Sequence, residues 1–505
     1  MLSLALMSER TENILRKTAN ASVVLAAAAC IVLLLVRIYY AISFVTPYML
    51  ATTGYEWESI FSILNFVHRQ AVYTDPHSIP FSVSYYNWAY YFFYGSITNV
   101  CLHLLHLDDI WIPTIGRLIS LVFMFITGGI FWLASRDFIK SGPFARKPIA
   151  VAWCIIAACS PLVGFWAITV RPDMGALALE TAGLYVILHY MRKQDERLII
   201  LAALLFYAAW SFKQSSVTLL TGSILALLLL KHWRAFFTLS SIWWLLVLAT
   251  LFVGGPVYRE NTLSAQLHLP MTISLGLENA LRAAEKNPLL LLSAAAILIA
   301  TARQFRLLAS RPIEAALTLV VLSSCCFAFI TSCKNGANDN YYIPAAWAAM
   351  LAFALISERM NGSLKFAGLA ACSVLMVCAV ALAPAGLTYF YNYRDHDVTY
   401  RNLAIRLSRL PGPAFVTEPY PNLPWVQHYS PNFVIPDTYY FDRAAGIPLE
   451  DGGWEGLAAQ GYFATLVFNE DFTPSPSTLQ KYKLVDEYLD RNGDFKFYRR
   501  IEPKQ

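Results

Sequence analysis

The sequence predicts a mainly α-helical protein, a polytopic transmembrane bundle of about eleven spans with a small C-terminal α/β domain outside it. Three observations carry that prediction. First, 57% of the 505 residues are hydrophobic, only 14% are charged and the mean hydropathy is +0.48, whereas a soluble domain carries about 25% charged residues. Second, apolar runs near spanning length recur between residues 19 and 388. Third, beyond residue 389 the texture changes to short β-branched and aromatic runs separated by turns. The net charge of +5 gives no reason to expect a nucleic-acid partner. Most of the nine cysteines lie inside apolar runs at no metal-binding spacing and read as small packing residues.

Residues 1–18 read as a cytoplasmic N-terminus, because Arg10, Arg16 and Lys17 precede an apolar run at 19–45 that is too long for a cleaved leader. Residues 19–388 read as the transmembrane domain, with further runs at 115–134, 148–169, 174–191, 198–211, 215–231, 236–254, 288–302, 313–332, 343–357 and 365–388. The aromatic segment 86–106 decides the topology. If it lies flat at the interface, the basic connectors at 135–147, 191–197, 231–234, 303–311 and 358–365 all face the cytoplasm; if it spans, they invert. We take the flat arrangement. It describes a multi-pass protein of the cytoplasmic (inner) membrane with its C-terminal domain, 389–505, on the periplasmic or extracytoplasmic side. The outer face then receives 46–114, 169–173, 211–216, 255–287 and 333–342.

In the first outer loop, 46–114, Trp57, Ile60, Phe61, Leu64 and Val67 share one helical face, while Glu58, Ser62, Asn65 and Arg69 share another. This pattern predicts a juxtamembrane helix lying on the bilayer surface. The stretch YTDPHSIPF after it is rich in turn formers. In the tail, a helix ending at Pro411-Gly412, a short helix around EDGGWEGLAAQG and strands in AFVTE, NFVIPD, FATLVFN, KLVDEYL and FKFYRRI are expected.

The unusual polar residues gather in the outer loops. Glu56 and Glu58 are carboxylates just above the bilayer, where one can act as general base on a hydroxyl, although glutamate is also ordinary at a helix start. Arg171 offers a bidentate fork for phosphate, and Asp173 can orient it, bind an acceptor or hold a cation; a snorkelling arginine before a Pro-started helix is the plain alternative. Glu180 lies two turns further on, within the membrane, where acids usually face a cavity. Lys213 and Gln214 interrupt two apolar runs, and NGANDNYY is dense in amides around Asn338, Asp339, Asn340 and Tyr341, a composition that suits sugar hydroxyls as well as a simple turn. Asp75, His77 and Tyr85 are further polar candidates for substrate contact; Arg259, His268, Arg282 and Lys286 are weaker ones, most of which read as solvated. Acids and cations converging at the outer leaflet suit a lipid-phosphate substrate.

On these residues the chain resembles the GT-C glycosyltransferases, in the branch holding protein O-mannosyltransferases and lipid A aminoarabinose transferases. In that family an acidic residue follows the first transmembrane helix, matched by Glu56 in GYEWESIF. The family's Arg-x-Asp at the next outer turn is matched by Arg171-Pro172-Asp173, and its later lysine by Lys213 in FKQ. The likeness spans residues 20–350 by pattern. The chain departs from it in having Glu56-Trp57-Glu58 where the family shows an adjacent acidic pair, which leaves either glutamate as the base, with Glu56 preferred.

The resemblance implies an inverting transferase that moves a sugar from a polyprenyl-phosphate donor to a lipid, glycan or protein hydroxyl. Glu56 would be the base, Arg171 and Lys213 would stabilise the departing phosphate, and Asp173 would orient the acceptor or the arginine. It implies no cofactor, with a divalent cation at Glu56 and Asp173 as the variant found in other branches. A polysaccharide polymerase or ligase and a lipid-linked glycan flippase are the alternative functions.

Overall fold

The computed structural model describes residues 2–42, 55–267, 269–290, 293–295, 297, 311–357, 362–383, 402–403, 405–407, 409–417, 435, 437–469, 474–490 and 493–501. Among the described residues, five helical segments are long and apolar enough to cross a membrane: Thr11–Tyr39, Asp109–Phe138, Asp173–Lys193, Trp233–Leu267 and Pro312–Ser332. Shorter apolar helices run over Lys147–Cys159, Thr218–Leu229 and Gly368–Leu382. The runs at 198–211 and 343–357 form helices of 17 and 14 residues, and the run at 288–302 falls mostly outside the described residues. Length and composition therefore support a membrane protein, while the expected count of about eleven spans is not confirmed among the described residues.

We number the helices that frame the site α1 (Leu2–Ile42), α2 (Tyr55–Val67), α3 (Trp88–Leu105), α4 (Ile112–Phe138), α5 (Lys147–Cys159), α6 (Pro161–Trp166), α7 (Asp173–Lys193), α8 (Glu196–Phe212), α9 (Thr218–Leu229), α10 (Trp233–Arg259), α11 (Ala265–Leu267), α12 (Ile273–Lys286), α13 (Pro312–Ser332) and α14 (Ile343–Ile356). One apolar core joins α1, α4, α5, α7, α8, α9, α13 and α14. The expected single span at 148–169 is broken. Ser160 is extended (φ −53°, ψ 158°) ahead of Pro161, and its hydroxyl accepts from Val163 N–H to start α6. A residue before proline avoids the helical region, and proline cannot donate the bond that would continue the helix. The early break lets the chain turn at 167–172, which puts Arg171 and Asp173 beside the α8–α9 connection.

Helix α2 corrects one expectation. Its polar face does not rest on a surface: Glu56, Glu58, Ser59, Ser62 and Asn65 are buried together with Trp57, Ile60, Phe61 and Leu64. The polar groups find partners inside the protein; Ser62 Oγ, for example, lies 2.7 Å from Ser84 Oγ. Helix α3, the segment that sets the topology, buries Tyr90, Tyr91 and Tyr94 and exposes Trp88, Phe92, Phe93, Leu104 and Leu105.

The tail forms a four-stranded sheet in the order β1-β2-β4-β3, with β1 (Ala414–Val416) parallel to β2 (Thr465–Asn469), and with β4 (Gly493–Arg500) antiparallel to both β2 and β3 (Tyr482–Asp490). The short helix expected near residue 453 runs over Gly453–Gln460. Of the other expectations, most of NFVIPD and of the helix before Pro411 lie outside the described residues. The sheet's core stacks Phe415 on Trp454, with ring centroids 4.3 Å apart, and takes in Phe81 from the first loop.

Candidate active site

The site is built on the turn 168–172. Four backbone groups at its centre are held by side chains. Glu56 Oε1 accepts from Val170 N–H at 2.9 Å, Ser120 Oγ donates to Thr169 O at 2.7 Å, and the Tyr90 and Tyr94 hydroxyls donate to Val170 O and Arg171 O at 3.0 and 3.4 Å. A non-helical stretch among apolar helices needs such partners, because an unpaired buried peptide group is costly. Glu56 is itself fully buried, 3.6 Å from the equally buried Arg117 of α4.

Strapped in this way, the turn presents Arg171 and Asp173. The Arg171 guanidinium donates to Tyr86 Oη from Nε (3.2 Å) and Nη2 (3.0 Å), and lies over the Trp166 ring at 5.0 Å. Burial works against its charge, but Tyr86 and Asp173 outweigh burial and raise its pKa. Burial pushes the Tyr86 phenol well up despite the pull of Arg171, so Tyr86 accepts as a neutral hydroxyl. Asp173 Oδ1 receives Lys213 Nζ at 2.6 Å and Asn340 Nδ2 at 2.7 Å, and Oδ2 lies 3.8 Å from Arg171 Nε. Lys213 is extended backbone at the end of α8 and stands over the Tyr341 ring at 4.6 Å.

A second cluster adjoins this one through the 334–342 loop. Asp339 is fully buried; its two oxygens accept from Trp166 Nε1 (2.8 Å) and Lys286 Nζ (2.5 Å). Asn338 Oδ1 accepts from Asp339 N–H and caps the short turn that follows. The loop is clipped to the start of α12: Thr272 N–H donates to Cys333 O and Asn335 N–H to Pro270 O. Lys334 Nζ donates to Gln266 Oε1, and Gln214 Nε2 donates to Tyr85 O and Thr262 O.

Two small cavities meet at Lys213, Asn340 and Tyr341. The first, with about 350 Å³ of empty space including its mouth, is walled by Tyr86, Arg171, Lys213, Gln214, Lys334 and Tyr341 among others. It carries three cations and no carboxylate, and so can bind an anion through charge-assisted hydrogen bonds. Burial would raise the Tyr341 phenol, but Lys334, Lys213 and Arg171 together hold it below its ordinary value. The second cavity holds Asp173, Glu180, Ser216 and Thr218. Among the described residues, no group of three or more His, Cys, Asp or Glu side chains could hold a metal ion.

No protein-family model and no curated protein matches the chain. Several solved chains resemble it in outline, two oligosaccharyltransferase structures among them. One is the oligosaccharyltransferase AglB from Archaeoglobus fulgidus in complex with an inhibitory peptide and a dolichol-phosphate, with TM-score 0.48 and 11% identity over 94% of this chain and 74% of that one. The other is an Archaeoglobus fulgidus oligosaccharyltransferase complexed with Zn and sulfate, with TM-score 0.46 and 12% identity over 93% and 72%. With TM-scores below 0.5, these likenesses carry no argument about family or activity, which rest on the chain's own residues.

The expected site residues divide into groups. Arg171, Asp173, Lys213, Gln214, Asn340 and Tyr341 converge on the cavities, with Asn338 and Asp339 just behind them. Glu56 lies behind the 168–172 turn, and Glu58 is buried close to Tyr91. Asp75, His77 and Tyr85 are drawn toward the tail domain. His77 Nε2 is 3.2 Å from Asp442 and Nδ1 is 3.6 Å from Asp75, and Tyr85 Oη is 2.8 Å from Thr438 Oγ1. Arg259 is exposed and donates to Gly255 O. Sequence reasoning missed Tyr86, Lys334 and Gln266 on the first cavity and Arg117 behind Glu56, and it ranked Lys286 only among the weaker candidates. The basic residues carried a signal, since Arg117 interrupts an apolar helix and Lys334 adjoins the amide-rich loop.

Proposed function

We propose that this protein is a membrane glycosyltransferase that moves a sugar from a polyprenyl-phosphate donor to an acceptor hydroxyl. One observation supports this above the rest: Arg171, Lys213 and Lys334 border a single cavity with no carboxylate on its wall, at the ends of apolar helices. A phosphate fits such a wall, and a lipid tail attached to it fits the apolar helices beside it. In the reaction, the acceptor oxygen forms a bond to the anomeric carbon as the bond from that carbon to the phosphate oxygen breaks. The bonding pair leaves with the phosphate, and the configuration inverts. Lys213 and Arg171 stabilise the charge gathered on the leaving phosphate. Asp173, the carboxylate of the second cavity that adjoins Arg171 and Lys213, orients the acceptor hydroxyl and takes its proton. Glu56 acts one step back, holding the turn that aims Arg171 and Asp173. The reading needs no metal.

The test follows turnover of a radiolabelled polyprenyl-phosphate sugar by the full chain in proteoliposomes. Lys213→Met and Asp173→Asn should each lower transfer by about 100-fold or more, the scale seen when one group stabilising a transition state is removed. Glu56→Gln should reduce transfer with no change in the shape of its pH profile. Wild-type transfer rates in both the Lys213 and Asp173 variants would rule the reading out.

A further inference from the structure

We infer that the second cavity is a sugar-hydroxyl subsite, with Glu180 and Asn340 as its recognition groups; this rests on the lipid-phosphate reading above. Three residues of its wall each keep one buried acceptor oxygen with no hydrogen-bond donor among the described residues: Glu180 (Oε2), Asn340 (Oδ1) and Asp173 (Oδ2). Glu180 is wholly buried and Asn340 is 5% exposed. The other atoms of these groups are firmly engaged. Glu180 Oε1 accepts from Leu219 N–H at 2.8 Å at the start of α9, and Asn340 Nδ2 donates to Asp173. Both side chains are therefore fixed, each with one acceptor left over. Glu180 lies seven residues after Asp173, about 10 Å along the same helix, so the spare acceptors extend the site along α7 from the reacting end.

What fills such a cavity must donate hydrogen bonds, since unsatisfied buried acceptors are costly. A phosphate has no donors to offer. A cation is disfavoured by the Lys213 ammonium in the same wall, and among the described residues the ligands do not amount to a metal set. A ring bearing several hydroxyls meets the demand, and Ser216 and Thr218 on the wall supply hydroxyls that can both give and accept. The two cavities share Lys213, Asn340 and Tyr341. A phosphate in the first and the sugar it carries in the second would thus be the two halves of one glycosyl-phosphate group.

The experiment measures binding, without turnover. Purified full-length protein in nanodiscs is titrated with bare decaprenyl phosphate and with its glucosyl, mannosyl, galactosyl and arabinosyl esters. Wild type should bind at least one ester about tenfold or more tightly than the bare lipid, the gain expected of hydrogen bonds to a buried carboxylate. Glu180→Gln keeps the acceptor for Leu219 N–H but turns a donor toward the cavity. It should bring ester and bare lipid to within about twofold of each other while leaving bare-lipid affinity unchanged. Ser216→Val, which narrows the cavity from another side, should do the same, so the result does not hang on one variant's folding. Equal binding of all esters and bare lipid by wild type would overturn the inference and mean that water alone occupies the cavity. Parallel loss of ester and bare lipid in Glu180→Gln would overturn it too. Failure of wild type to bind even bare decaprenyl phosphate would overturn the lipid-phosphate reading and this subsite with it.

Discussion

Tyr341 shows how one residue reports the charge of the whole cavity. Burial favours its neutral phenol, yet Lys334, Lys213 and Arg171 reverse that preference, and its pKa falls below the ordinary 10.0. The sign follows directly. Below the shifted pKa the phenol is neutral and the three cations are available to an anion. As pH rises through it, a phenolate forms among them and competes with the ligand. Affinity for decaprenyl phosphate should therefore start to fall before pH 10. Tyr341→Phe should hold its neutral-pH affinity through the interval in which wild type declines. Titrations between pH 7 and 10.5 decide this, and a wild-type curve that coincides with the Phe curve would mean the cations do not act on a common ligand. Other residues in the site were legible for a simple reason: Arg171, Asp173 and Lys213 are charges flanked by apolar runs, and such charges seldom lack a purpose. Glu56 was as visible, but its link to Arg117 and Val170 N–H joins residues 61 and 114 positions away in the chain, and no local pattern encodes such a pairing.

Among the elements, α12 explains the clearest misreading. In a soluble protein the apolar stripe of a helix faces the core. Here Ile273, Leu277 and Leu281 are exposed, while Gly276, Asn279 and Ala283 face inward. The pattern is inverted because lipid, or the headgroup boundary, can receive the apolar side. Lys286 then falls on the inner side and reaches Asp339, although in the sequence it ranked among weaker candidates that mostly read as solvated. The inward face works at close range. Asn279 Nδ2 donates to Ser332 O (3.0 Å) and Ala337 O (3.3 Å), and a Cβ on Gly276 would stand 2.4 Å from Cys333 Sγ. Gly276→Ala must push α12 away from α13, loosening both the 334–342 loop and the Lys286–Asp339 pair. We expect a stability loss of about 1–3 kcal/mol, the usual cost of overpacking, with reduced sugar transfer. Adding Cys333→Ala removes the clashing sulfur and should restore most of both, as read by thermal unfolding in detergent and by turnover. If the double variant is no better than Gly276→Ala alone, the close approach is not what seats α12.

At the scale of the molecule, the helical class, the change of texture near residue 389 and most helix positions followed from apolar runs and β-branched strands, which are local signals. What escaped was the joining of the parts. The break at Ser160–Pro161 shortened an expected span, and the first loop turned out to belong to the tail domain as much as to the bundle. Phe81 is fully buried in the tail's core, its ring 5.6 Å from that of Tyr439, and His77 and Tyr85 on either side of it reach Asp442 and Thr438. Four residues further along, the Tyr85 carbonyl accepts from Gln214 and Gln266 beside the first cavity. A single stretch of chain thus runs from the tail's core to the site, and among the described residues none of the tail lines the two cavities. Phe81→Ala should cost the tail about 3–5 kcal/mol, as for other phenylalanines deleted from a core. Limited proteolysis should then cut the tail domain sooner, while the helical signal of the bundle holds. If that stretch couples the tail to the site, sugar transfer should fall in the same variant although Phe81 lies outside both cavities. If proteolysis quickens and transfer is unchanged, the tail is an independent domain that merely borrows a side chain from the loop.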